Sequence, residues 1–167
     1  YKLAKALSHK VEKPIPALTQ FITQESMETV FGVRVKSALY LWRYKGKEKE
    51  LIAKDSGEVQ FTKEGISGIC TFNLSRFLEL EKDISYEIIV DPFEDYVEDQ
   101  LEELFLQRRQ DLADRAVGSI LYGLIPDKLC DEILKRTNLT CLEKVKDISN
   151  IKLKELVKNA KAITLTP

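Results

Sequence analysis

The sequence is 167 residues long, the size of one domain or of two small lobes sharing a core. With 44% hydrophobic and 32% charged residues it has the makeup of a globular chain with a heavily charged exterior, and its 7 Gly and 5 Pro exclude collagen-like or low-complexity character. The near balance of 26 basic against 27 acidic side chains gives no overall pull toward nucleic acid or an anionic membrane. Its 3 Cys, at 70, 130 and 141, are too few and too scattered for a disulfide framework or a CxxC zinc site, which points to a reducing compartment. The longest apolar run, at 120–125, falls far short of the roughly 20 residues of a membrane span, and no secretory signal pattern is present.

The chain starts without Met, at Tyr1-Lys2-Leu3-Ala4-Lys5-Ala6-Leu7, an amphipathic stretch with no cap before it. That pattern predicts the end of a helix and, with it, a piece of a longer protein. Pro14 and Pro16 break the helix and force an extended run into Ala17-Leu18-Thr19-Gln20-Phe21-Ile22. Val33, Val35, Leu39 and Leu41 then alternate with Arg34, Lys36, Tyr40 and Trp42, the period of a strand with one buried face. Tyr44-Lys45-Gly46-Lys47 supplies a turn, and Glu50–Lys54 returns antiparallel as a hairpin. Ser56-Gly57 is expected to turn again into Glu58–Thr62, and Ile84–Val90 forms a further strand closed by Asp91-Pro92.

From Asp95 the period changes to 3.6. Asp95-Tyr96-Val97-Glu98 has the spacing of a capping box, and Leu101, Leu104, Phe105 and Leu112 then share one helical face. Pro126 starts a second helix over 127–134, and a third covers 151–157. Ala162–Thr166 is a strand returning to the sheet. The fold class is therefore α+β, a small β-barrel-like lobe (1–91 with 161–167) carrying an inserted helical lobe (92–160). Charge is unevenly placed along the chain: residues 1–56 carry +5, 57–116 carry −9 and 117–167 carry +3.

Most familiar chemistries are excluded. Gly65-Ile66-Ser67-Gly68-Ile69 lacks the second Gly of a G-x-S-x-G elbow, and His9, the single His, is far away in sequence. One His and scattered Cys cannot make a tetrahedral zinc site, and neither a P-loop nor a G-x-G-x-x-G occurs. The GxxG spacing of Gly65–Gly68 matches the backbone clamp of KH domains, but a strand precedes it where that module has a helix. Tyr40, Trp42 and Tyr44 with Arg43 could form a base-stacking platform or an amphipathic barrel face. The Gly65–Gly68 loop has a structural meaning, with Ser67 capping a helix over 69–77, and it could also wall a ligand cleft through Thr62, Gly65, Ser67 and Gly68.

That loop carries a specific resemblance. Gly57-Glu58-Val59-Gln60-Phe61-Thr62-Lys63-Glu64-Gly65-Ile66-Ser67-Gly68, followed by Leu74-Ser75-Arg76, resembles a signature of the bacterial BaiN/aminoacetone-oxidase-type NAD(P)/FAD-dependent oxidoreductases. Pro16-Ala17-Leu18 is similar to the start of that family's insert domain, and Tyr1–Ala4 with Ser8-His9 to the helix preceding it. Lys63, Ile69, Gln20 and Ser8 stand where the family usually has His, Pro, Pro and Gly. The resemblance implies an insert domain of a cytoplasmic flavoprotein, with FAD, and NAD(P) beside it, held by a missing FAD-binding domain of the same polypeptide. On that basis this chain has no cofactor, metal or catalytic residue of its own, binds neither membrane nor nucleic acid, and shapes a cleft for a small-molecule substrate. The alternative is a free-standing protein- or RNA-interaction module. An insert must leave and re-enter its host at neighbouring points, so the two chain ends are expected close in space.

Overall fold

The computed structural model describes residues 1–14, 17–79 and 83–167; Pro16, and with it the proline-forced extension at that position, lies outside them. A short helix α1 (Lys2–Ala6) buries no side chain. After it come β1 (Phe21–Ile22), β2 (Arg34–Lys45), β3 (Glu48–Phe61), β4 (Gly65–Ser67), α2 (Ile69–Ser75) and β5 (Ile84–Asp91). The helical half consists of α3 (Glu98–Asp111), α4 (Asp127–Arg136) and α5 (Asn150–Lys161), and β6 (Ile163–Leu165) brings the chain back. The α+β class and the barrel-like lobe are thus as the periodicity predicts.

All strand pairs are antiparallel, in the order β1-β4-β3-β2-β5-β6. The β2–β3 hairpin turns through Gly46-Lys47, with Gly46 at φ +60°, a conformation that glycine adopts without strain. A register shift at Leu41/Trp42 places a bulge in this long hairpin, which adds twist and helps the sheet curl. The two edges of the curled sheet are then tied together. Gln24 N–H donates to Thr166 O at 2.8 Å, and the Glu25 carboxylate accepts from Thr166 N at 2.8 Å and Thr166 Oγ1 at 2.9 Å. The way into the barrel and the way out of it therefore lie side by side.

One hydrophobic cluster fills both halves: Leu39, Leu41, Phe61 and Ile88 from the strands join Phe105, Leu129 and Leu156 from the helices. Lys161 fastens the two halves. Its ammonium donates to Asp91 Oδ2 at 2.8 Å, Phe93 O at 2.9 Å and Tyr96 O at 2.6 Å, while Asp91 is only 4% exposed.

Four local expectations are corrected. β3 runs unbroken through Ser56-Gly57, which pair with Ala38 and Ser37 of β2, and Cys70 of α2 packs against Gly57, 3.5 Å from an ideal Cβ. The glycine serves helix-on-strand packing, not a turn. Leu18 sits at φ +56°, not extended, where Thr19 N–H turns to Ser75 Oγ at 3.1 Å. Helix α3 begins two residues later than the Asp95 box implies: the Phe93 and Tyr96 carbonyls accept from Lys161, and Val97 N–H donates to Gln100 Oε1 at 3.2 Å. Ser67 caps nothing, since α2 is preceded by Gly68 with no side-chain cap and Ser67 belongs to β4.

Candidate functional site

The Phe61–Ile69 segment is a strand, a tight turn, a three-residue strand and a helix start. Thr62 N–H donates to Gly65 O at 2.8 Å and closes the turn. β4 then pairs with β1 on one side and with β3 on the other, and Thr23 N–H donates to Glu64 O at 2.8 Å. At Gly68 the backbone takes φ +119°, ψ +166°, a region open to glycine and strained for any other residue. Phe72 N–H and Thr71 Oγ1 donate to Gly68 O at 2.9 Å and Ser67 O at 3.1 Å, and so start α2.

A cleft of 480 Å³ opens beside this helix start, within the range of small-ligand pockets. Ser67 and Gly68 line it. Thr62 and Gly65 do not: Gly65 faces the β1 seam, and the Thr62 hydroxyl is buried behind the turn with no partner. The rest of the lining comes from β3 (55–58 and Gln60) and from the outward side of α2, where Ile69, Phe72 and Asn73 recur at helical spacing. None of these α2 residues is among the cleft residues expected from the sequence, yet their i, i+3, i+4 spacing was the available signal. Asn73 Nδ2 donates to Asp55 Oδ2 at 2.7 Å and bridges the two walls. Burial pushes the Cys70 thiol up from its ordinary value, and its Sγ–H lies 3.5 Å from Glu58 O, so this sulfur is a packing group, not a nucleophile.

The two glycines of the loop are packed against backbone. A Cβ at Gly65 would overlap Phe21 O, and one at Gly68 would overlap Glu58 O. The room that a phosphate cradle keeps for its ligand is here filled by the chain's own backbone.

The other candidates resolve similarly. GxxG lies on a strand between β3 and α2, so the helix-loop-helix of a KH clamp is absent from this segment. The Tyr40, Trp42, Tyr44 row on β2 is covered by its own lysines: Lys54 Nζ stands 4.8 Å from the Tyr40 centroid, and Lys49 Nζ stands 4.7 Å from that of Trp42 and 5.1 Å from that of Tyr44. Arg43 is engaged by Glu50 and Glu79. Lys63, in the position where the resembling family has His, reaches over Phe31 with Nζ 5.6 Å from the ring centroid. Among the described residues no group of three or more His, Cys, Asp or Glu is placed to hold a metal, and no helix is long and apolar enough to cross a membrane.

Comparison with known proteins fits this architecture. Residues 15–167 match the family model for the HI0933-like protein barrel and H2TH domain. The chain is also 26% identical, over 171 aligned positions, to a 3-dehydro-bile acid delta(4,6)-reductase of Clostridium scindens. That alignment takes in 99% of this chain but only 40% of the reductase, so the chain spans well under half the length of this relative. A curled six-stranded sheet continuous with a three-helix half is what a barrel-and-H2TH description requires, and the chain belongs to the HI0933-like family as that domain.

Proposed function

We propose that this chain is the insert domain of a larger flavin-dependent oxidoreductase and is not catalytic alone. The family membership of residues 15–167, beside an alignment of the chain to 40% of a reductase, is the observation that carries this reading. The adjacency of Gln24 and Thr166 supports it, because the chain's entry to the barrel then lies beside its exit. In this reading residues 1–91 with 161–167 are the barrel lobe and 92–160 the helical lobe. FAD, with NAD(P) as its reductant, would be held by the FAD-binding domain of the same polypeptide. The Gly65–Gly68 loop offers no open cradle for the phosphates of a dinucleotide, since both glycines are packed on the chain's own backbone. A flavin supplies hydride chemistry when bound; what this chain contributes is a wall of the cleft around Ser67 and Gly68 that limits access of substrate and water.

Reduction is the reaction class that the relative's description suggests; its bile-acid substrate does not carry over at 26% identity. The free thiols, two of them buried, fit a cytoplasmic setting. The test is to purify the whole-length protein and residues 1–167 in parallel. The whole protein should be yellow, release FAD on denaturation and oxidise NADH or NADPH, while 1–167 should be colourless. A whole-length protein without flavin would overturn the oxidoreductase reading. Micromolar flavin binding by 1–167 would overturn the division of labour.

A further inference from the structure

Strand β3 is paired along one edge only. Its ladder with β2 runs from Glu48 to Gln60, whereas β4 meets the opposite edge at Gln60 and Phe61 alone. In an antiparallel strand the N–H and C=O of one residue point to the same side, and the side alternates along the chain. Phe61 N–H donates to Val33 O on the β2 side, and Glu58 O receives the Cys70 thiol on the other. Residues 55, 57 and 59 therefore bond toward β2, while Lys54, Ser56 and Glu58 present their backbone groups outward. Asp55 Oδ1 already satisfies Ser56 N–H at 2.8 Å. What remains open is a row made of the Lys54 and Glu58 N–H groups and the Lys54 and Ser56 carbonyls, which no strand among the described residues meets.

This edge is the floor of a groove. The 480 Å³ cleft at the start of α2 adjoins a second hollow of 350 Å³ farther along the helix, and the two share Asp55 and Asn73. Apolar side chains of α2 and its end stand along the far wall, with Ile69 77% and Phe77 38% exposed and Phe72 between them. An open strand edge facing a helix with exposed apolar side chains is the geometry in which an extended segment is captured, backbone to backbone, with its side chains in the neighbouring hollows.

We propose that this groove receives an extended strand from the part of the whole protein that lies outside this chain, added to the open edge of β3. The proposal rests on the reading above that the chain is a domain of a longer protein. The relative has the polypeptide to supply the strand, since this chain accounts for only 40% of its length. The occupant is also close at hand. β1, at the chain's way into the barrel, is the neighbour of β4, and β4 ends at the groove. A long exposed edge would otherwise be a template for self-association.

Residue-resolved hydrogen–deuterium exchange on the whole-length protein tests this. The Lys54 and Glu58 amides should exchange roughly 100-fold or more below their free-peptide rates, like the β2-paired amides of Asp55 and Gly57 beside them. Free-peptide rates at Lys54 and Glu58, with Asp55 and Gly57 protected, would overturn the proposal. Ile69→Glu should lower protection at Lys54 and Glu58 at least about tenfold while leaving Asp55 and Gly57 unchanged, an internal reference that separates undocking from unfolding. Protection that appears only as protein concentration rises, together with a dimer mass by light scattering, would assign the edge to a second copy and refute the proposal. The flavin absorbance of the same sample reads the functional proposal separately. A colourless protein with a protected edge sinks that one alone, and a yellow protein with an unprotected edge sinks this one alone.

Discussion

Gly68→Ala is the most informative single substitution in the loop. The residue sits at φ +119°, and an added Cβ would run into Glu58 O, a backbone atom of β3 that cannot swing aside. Holding a non-glycine residue in so sparsely populated a conformation costs about 1–3 kcal/mol. Relieving the overlap requires the start of α2 to move off β3, at about 1–3 kcal/mol more, as for other overpacked sites. The expected loss is thus about 2–6 kcal/mol, or a fall in Tm of roughly 5–20 °C for a domain of this size. The control is Ser67→Ala. A capping serine would cost about 1 kcal/mol to remove, but Ser67 lies in β4 and caps nothing, so its loss should stay within about 0.5 kcal/mol. Urea unfolding of both variants, followed by circular dichroism, gives the two differences on one scale. A Gly68→Ala protein that unfolds at the wild-type midpoint, or a Ser67→Ala protein that loses a full kcal/mol, would refute this account of the loop.

Lys161→Met should cost about 3–5 kcal/mol by urea unfolding, because it leaves the buried Asp91 carboxylate and the Phe93 and Tyr96 carbonyls without their cation; a loss under 1 kcal/mol would show that the two halves hold together without it. Tyr122 donates its hydroxyl to Asp131 Oδ1 at 2.7 Å, which raises its pKa to about 12, so Asp131→Asn should bring that phenol back toward 10 in an ultraviolet titration read as the difference from Tyr122→Phe. Because the folded-state pKa is the higher one, this contribution to stability is complete below pH 10 and is lost as pH rises toward 12; a flat difference in stability between wild type and Tyr122→Phe across that window would contradict it. Cys141 is exposed while Cys70 and Cys130 are buried, the Cys130 thiol being pushed up to about 12 by burial, so a thiol reagent at pH 8 should label one cysteine per chain quickly and the other two only on unfolding. A fast phase that survives Cys141→Ser would contradict that ordering.

Much of the architecture was legible in the sequence because it is a matter of local period. Alternation at Val33–Leu41 specifies a strand with one buried face, and the spacing of Leu101 and Phe105 specifies a helix whose inner stripe is buried. The return of Ala162–Thr166 to the sheet was equally visible, and β6 pairs with β5 there. Of the Gly57–Gly68 signature, Gly57, Glu58, Gln60, Ser67 and Gly68 line the cleft and Thr62 and Gly65 do not. Local pattern says which side chains need burial; it does not say what buries them. Only the tertiary structure pairs Ser56 and Gly57 with β2 and sets Cys70 on Gly57, so that β3 runs on where the sequence suggested a turn. Lys161, arriving from α5, binds the Phe93 and Tyr96 carbonyls in the turn that delays α3 past the capping pattern at Asp95. The cleft belongs to the same class of feature. It exists because β4 is three residues long and releases the edge of β3 beside α2, a consequence of which strands meet and where they part.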